Sequence, residues 1–354
     1  MKTRIFIAGL AAEADLLTRI LGPHEAAAAR ADGLVLVKSD KGPWPVAQVQ
    51  PGAADGVLLE LEAEAAGRLD FALRGLGLEP RPVPDLSALT YVGTGAGPLE
   101  ATAPEVLDVV VTALTDILVL QGQHRPEAIA ARLFPVLVRA ASRLRAADAT
   151  PANLRHATGP QDVTIQAQRQ PYAHFFAIDE YDVTWRRFDG TASQSVTRAA
   201  FLSGDAVTVL PYDPVRDRVL VVEQFRAGPL ARGDAQFWQI EAIAGRVDPF
   251  ETPEAAARRE AVEEAGLALT DLIFVARYYP SPGAVSEYLY SYLALTDLPD
   301  GSAGVFGVEG EAEDIRGHVI SFDALMDLVA SGEIENAPLI LTALWLQRER
   351  ARLR

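Results

Sequence analysis

Residues 244–267 read AGRVDPFETPEAAARREAVEEAGL, with six acidic residues, a run of alanines and a glycine near each end. Thr252 is a good N-cap residue and Pro253 suits the first helical position, so the spacing predicts a helix from there onward. On that helix Glu260, Glu263 and Glu264 fall at i, i+3 and i+4, hence on one face. Like charges at this spacing repel by roughly 0.2–0.5 kcal/mol per pair on an exposed helix. A helix selected for stability alone would carry Lys or Arg there. Clustered carboxylates make physical sense around a hard cation, because Mg²⁺ and Mn²⁺ choose oxygen ligands. The competing reading is a solvated acidic helix face.

The flanking residues discriminate between the two. Gly245 is followed by Glu251, then Arg259-Glu260, then Glu263-Glu264, then Gly266, with Ala261 and Leu267 at the apolar positions. This string, G-x5-E-x7-R-E-U-x-E-E-x-G-U, resembles the Nudix hydrolase signature at every specified position. The resemblance implies a loop–helix–loop that binds divalent metal and hydrolyses a nucleoside diphosphate linked to another group. It makes Glu260 and Glu264 the main metal ligands, with Mg²⁺ as the ion and Mn²⁺ as its substitute. Glu263 assists, and the Ala244 carbonyl joins them. Arg259 is implied to orient Glu251 and Glu263.

Further stretches resemble the ADP-ribose pyrophosphatase subgroup. YDPVRDRVLVVEQFRAG (212–228) and FWQIEAIAG (237–245) look like its strands before the box. YYPSPGAVSE (278–287) places Pro282 fifteen residues after the box, where that subgroup carries a proline. EGEAEDIRGHVI (309–320) resembles its acidic loop, and GEIENAPLILTALWLQ (332–347) its last helix. The implied reaction is ADP-ribose plus water to AMP and ribose 5-phosphate. Glu311 would be the catalytic base and Glu313 a metal support. Arg226, Glu241, Pro282 and Glu287 would line the substrate. Loop 300–314 is glycine-rich, which suits a base that swings in over substrate. The rivals are another substrate, such as NADH or an ADP-sugar, and a sensor that binds ADP-ribose without turnover.

The elements that must position these residues fall into three regions of a 354-residue chain, a length that suits two or three domains. Residues 1–98 read as a small β-rich unit, with RIFIAG and GLVLVK as strands and LLELEAEAAGRLDFAL as a helix. Residues 99–162 read as a helical connector and linker, in which Pro126 starts a helix and Pro135 bends it. From 163 to 354 strands enclose the acidic helix, and helices at 321–331 and 337–351 close the chain. This predicts an α+β protein whose C-terminal part is an α/β/α sandwich around a mixed sheet.

The bulk numbers narrow the class. Hydrophobic residues make up 49% of the chain, ample for buried cores. The net charge of −16 disfavours broad contact with nucleic acid or anionic membrane, so a negative ligand needs local arginines or a divalent cation. There are no cysteines, which excludes disulfides, thiolate zinc and a thiol nucleophile. No apolar run is long enough to span a bilayer, and the N-terminus reads as a strand rather than a secretory signal, so the cytoplasm is the expected location.

The N-terminal region resembles the gamma-glutamylcyclotransferase-like fold. Ile7-Ala8-Gly9-Leu10 stands where that family carries Tyr-Gly-Thr-Leu. Leu69-Asp70-Phe71 agrees with its second motif, but Ala72-Leu73-Arg74 replaces Tyr-Glu-Gly. Leucine cannot transfer a proton, so the resemblance implies a non-catalytic module. The pairing with a Nudix domain resembles tellurite-resistance-associated ADP-ribose pyrophosphatases. ADP-ribose pyrophosphatases are usually homodimers, and residues 172–201 occupy the place of their dimerising strands, so the resemblance implies a homodimer.

Overall fold

Alternating apolar residues at the N-terminus make the first strand, β1 (Thr3–Ala8), which buries Phe6 on one face and Ile5 and Ile7 on the other. The computed structural model describes every residue except 1, 100, 101, 149, 175 and 309–312, so the expected base Glu311 lies outside the described residues. The chain forms two compact units, Met1–Leu202 and Ser203–Arg354. Among the described residues no helix is long and apolar enough to cross a membrane.

In the first unit β1 is followed by α1 (Ala14–Leu21), β2 (Ala27–Lys38), β3 (Pro45–Leu61), α2 (Ala63–Gly75), β4 (Glu79–Val83) and β5 (Ala88–Val92). The strands form one sheet in the order β2-β3-β1-β5-β4. Residues 58–61 of the expected helix are strand instead. They pair with Thr3–Phe6, and their alternating leucines are read by the sheet rather than by a helix face.

Next come α3 (Pro104–Val119), α4 (Pro126–Ala130) and α5 (Leu133–Ala146). Val110, Leu114 and Ile117 of α3 and Val136 and Leu137 of α5 share one core with Ile5, Leu69 and Leu73. Pro135 does not bend a helix. The break falls before it, at Ala131–Arg132, and Pro135 sits in the first turn of α5, where no intrahelical N–H bond is lost. A separate antiparallel sheet of β6 (Val163–Ala173), β7 (Ala177–Trp185) and β8 (Val196–Leu202) completes the unit. By compactness the chain divides at 202.

The second unit contains β9 (Asp205–Asp213), β10 (Arg218–Phe225), α6 (Ala227–Arg232), β11 (Trp238–Glu241), β12 (Ile243–Arg246), α7 (Pro253–Ala265), β13 (Asp271–Tyr278), β14 (Tyr288–Leu295), β15 (Val305–Phe306), β16 (Ile315–Ser321), α8 (Phe322–Ser331) and α9 (Ala337–Leu353). Its sheet runs β13-β14-β9-β10-β16-β15, with β11 added beside β10 and β12 beside β9. The β14–β9 pair is parallel and the others are antiparallel, so the sheet is mixed as expected. Strand alternation splits the core in two. Val207, Val209, Leu220, Val222 and Ile243 pack under Ala256, Ala257, Ala261 and Ala265 of α7. Leu210, Tyr212, Val219 and Val221 pack against Phe322 and Leu325 of α8 and Leu339, Ala343 and Leu346 of α9. Helices thus cover both faces of one sheet, the α/β/α arrangement.

Because α3 belongs to the first unit's core, Leu114→Ala should destabilise that unit by about 2–5 kcal/mol, as for other fully buried leucines. Hydrogen exchange of the β1 and α2 amides checks this; unchanged protection there would favour the connector reading.

Candidate active site

The helix α7 starts and stops where its residues dictate. Thr252 Oγ1 accepts the Ala255 N–H at 3.2 Å, and Pro253 takes the first turn. At the other end Gly266 adopts φ 64°, and the Leu267 N–H returns to the Ala261 carbonyl at 2.9 Å. The helix presses its alanine face onto β12. A Cβ on Gly245 would lie 1.8 Å from Glu260 Oε1, so only glycine lets that carboxylate rest against the strand.

Arg259 is the hub of this face. It donates from Nη2 to Glu251 Oε1 at 2.7 Å and from Nη1 to Glu260 Oε1 and Glu263 Oε2, each at 2.8 Å. Its Nη2 also reaches the Arg246 carbonyl at 2.9 Å. Glu251 in turn accepts the Asp248 N–H at 2.8 Å, which closes the loop before the helix. The structure therefore brings Arg259 to Glu251 and Glu263, and adds Glu260, a contact the sequence did not disclose.

Glu264 is buried, and its Oε2 accepts the Ala244 N–H at 3.1 Å. Burial pushes its carboxyl up to about 8, with the Glu260 charge adding to the rise. Burial likewise pushes Glu260 up to about 7, although Arg259 pulls the other way. Glu313 is exposed, accepts the Val308 N–H at 3.3 Å, and lies within electrostatic reach of both glutamates. Among the described residues no three carboxylates or imidazoles converge as a metal cluster, and Glu260 and Glu264 stand one helical turn apart on α7. That pair fits a hard divalent cation. It supplies oxygen donors one helical turn apart, Glu264 buried and Glu260 half-buried, with more negative charge than Arg259 alone compensates.

A second cluster stands at the junction of β10, β11 and α9. Arg226 donates to Glu241 Oε2 from Nη2 at 2.6 Å and from Nε at 3.0 Å. Burial opposes the Arg226 charge, but Glu241 outweighs it and raises the pKa. Glu241 is only 6% exposed, and its Oε1 accepts from Asn336 Nδ2 at 2.9 Å. Both of its oxygens are thus held by protein groups. Glu287 is half-buried, and burial raises its pKa against the pull of Arg246 and Arg226. Pro282 sits exposed in the β13–β14 loop. Sequence reasoning missed Asn336: it reads as a helix cap before Ala-Pro, and nothing local signals a partner on β11.

The raised Glu264 pKa has a stability consequence. Its folded value of about 8 exceeds the ordinary 4.5, so its contribution is fully present below pH 4.5 and is lost as pH rises through 8. Glu264→Gln keeps an acceptor for the Ala244 N–H and removes the buried charge. In metal-free protein it should therefore raise Tm at pH 8 and leave Tm near wild type at pH 4. Adding Mg²⁺ should stabilise wild type and not the variant. Equal melting curves at both pH values would refute this.

Comparison with known proteins supports what the geometry suggests. The NUDIX domain model matches residues 202–342. ADP-ribose pyrophosphatase of Escherichia coli K12 is 38% identical over 197 residues, covering 56% of this chain and 93% of that protein. The Haemophilus influenzae ADP-ribose pyrophosphatase is 32% identical over 195 residues, covering 54% of this chain and 89% of that protein. GDP-mannose pyrophosphatase of Enterobacter sp. 638 is 32% identical over 151 residues, covering 42% and 77%. An alignment of 197 residues is longer than the stretch from 202 to the C-terminus, so it reaches back into the β6–β8 sheet. With relatives matched along nearly their whole length, and with Arg259 and its carboxylates set against Gly245, the chain belongs to the Nudix family and is a diphosphatase.

Proposed function

We propose that the substrate is ADP-ribose, cleaved to AMP and ribose 5-phosphate with Mg²⁺ as the working ion. The observation that carries this reading is the match along 93% of an ADP-ribose pyrophosphatase. Glu260, Glu264 and the Ala244 carbonyl would hold the ion, with Glu313 as support. When bound, Mg²⁺ or Mn²⁺ supplies charge neutralisation for the diphosphate and polarises its phosphorus. Arg259 keeps Glu251, Glu260 and Glu263 in register. Arg226, held by Glu241, meets the diphosphate. Glu311 takes a proton from the attacking water; the new P–O bond forms as the bridging P–O bond breaks, and the leaving phosphate departs on the ribose. Pro282 and Glu287 border the substrate.

A nucleotide sugar is the second reading, favoured by the 32% identity to a GDP-mannose pyrophosphatase. For residues 1–98 we propose a gamma-glutamylcyclotransferase-like module without that activity, as in the tellurite-resistance-associated type. Leu73, fully buried in the core, takes the position of that family's glutamate and has no proton to transfer. We propose also that the Nudix domain, taken from 163, forms a homodimer in the cytoplasm; Val163 and Ile165 of β6 are 50% and 58% exposed, which suits strands that acquire a cover.

Nucleoside monophosphate release by the full chain tests the substrate, read as AMP from ADP-ribose, NADH or ADP-glucose and as GMP from GDP-mannose. ADP-ribose with Mg²⁺ should be turned over at least tenfold faster than GDP-mannose, NADH or ADP-glucose, and chelation should abolish it. Glu311→Gln should lower kcat by roughly 10²–10⁴, the usual worth of a positioned base. Faster GDP-mannose cleavage would establish the second reading, and binding without AMP would make the protein a sensor.

A further inference from the structure

We propose that Asn336 is a positioning residue for the diphosphate-binding arginine, acting through Glu241; the inference rests on the reading that Arg226 meets the substrate. Asn336 is the N-cap of α9, and its Oδ1 accepts the Leu339 N–H at 3.0 Å. That bond fixes the orientation of the amide, so its NH₂ must point away from the helix. There it donates to Glu241 Oε1 at 2.9 Å. One side chain therefore caps a helix and pins a carboxylate on a strand 95 residues away.

The consequence for Arg226 follows from hydrogen-bond accounting. Glu241 Oε1 belongs to Asn336, while Oε2 takes Nε and Nη2 of Arg226, with Gln224 Nε2 at 3.4 Å. A carboxylate held at both oxygens cannot turn, so the edge of the guanidinium that it grips cannot turn either. Both bonds use Nε and Nη2, which leaves Nη1 to face a ligand. The Arg226 main chain is anchored as well, its N–H donating to the Phe237 carbonyl at 2.9 Å. An arginine side chain 41% exposed would otherwise sample several rotamers and lose that freedom on binding. Pre-ordering it should appear in substrate affinity rather than in the chemical step.

Cap function alone would not require asparagine. Ser and Asp cap as well, but neither has a second arm that donates to Glu241. This choice makes the two roles separable. Asn336→Ser should keep the helix cap, yet raise KM for ADP-ribose about tenfold at nearly constant kcat, the scale of one lost charge-assisted hydrogen bond. The Arg226 Nε–Hε cross-peak should move in the ¹H–¹⁵N spectrum of Asn336→Ser, a readout that a simple cap would not affect. In an Arg226→Ala background, Asn336→Ser should add nothing further to KM. An unmoved cross-peak, or a full additional KM increase in that background, would overturn the positioning role. If Arg226→Ala leaves KM at the wild-type value, the reading of Arg226 falls first and this inference with it. If Arg226→Ala raises KM while Asn336→Ser is silent, only the role of Asn336 falls.

Discussion

The site depends on the close approach of α7 to β12. The helix can come down onto the sheet because Ala256, Ala257, Ala261 and Ala265 form its buried face, and Gly245 leaves a gap that the Glu260 carboxylate fills. This contact takes Glu260 and Glu264 out of water, and burial shifts both carboxyls toward their neutral forms. Arg259 offsets part of the charge and spends its donors on Glu251, Glu260, Glu263 and a backbone carbonyl. What it leaves uncompensated is the electrostatic driving force for a divalent cation.

The cluster of Arg226, Glu241 and Asn336 is delivered by the same short stretch of chain. Glu241 closes β11 and Gly245 lies in β12; between them Ala242 packs toward α8 and α9 while Ile243 packs under α7. Burial of these two neighbours on opposite faces locks the phase of the segment. Glu241 is thereby aimed at Arg226 and Asn336, and Ala244 and Gly245 at the carboxylates. A one-residue slip would reverse every side chain and separate the arginine from the acidic helix.

Much of this was legible in the sequence because it is local. The cap at Thr252, the proline after it, the glycine stop and the i, i+3, i+4 carboxylates are all spacings within one helix. The two-faced core of the second unit was legible too, from β-branched runs such as VLVV in β10. Illegible were the features set by distant contacts. Residues 58–61 (LLEL) fit a helix by propensity and became strand because β1 pairs with them. Helices α3 and α5 show apolar faces in the sequence, but not that these faces meet Leu69 and Leu73. Asn336 shows itself as a cap, but its bond to Glu241 spans 95 residues, and no local pattern records such a pairing.

Burial raises the Glu260 and Glu264 pKa values, so a divalent cation held by the two, as proposed, must displace protons from them, and proton release on metal binding measures that linkage. Titration of Mg²⁺ into the full chain at pH 7.5, by calorimetry in buffers of differing ionisation enthalpy, counts the protons set free. With Glu260 near 7 and Glu264 near 8, binding should release on the order of one proton per site, and Glu264→Gln should abolish most of that release. Mg²⁺ binding without proton release, or binding unchanged in Glu264→Gln, would contradict the account.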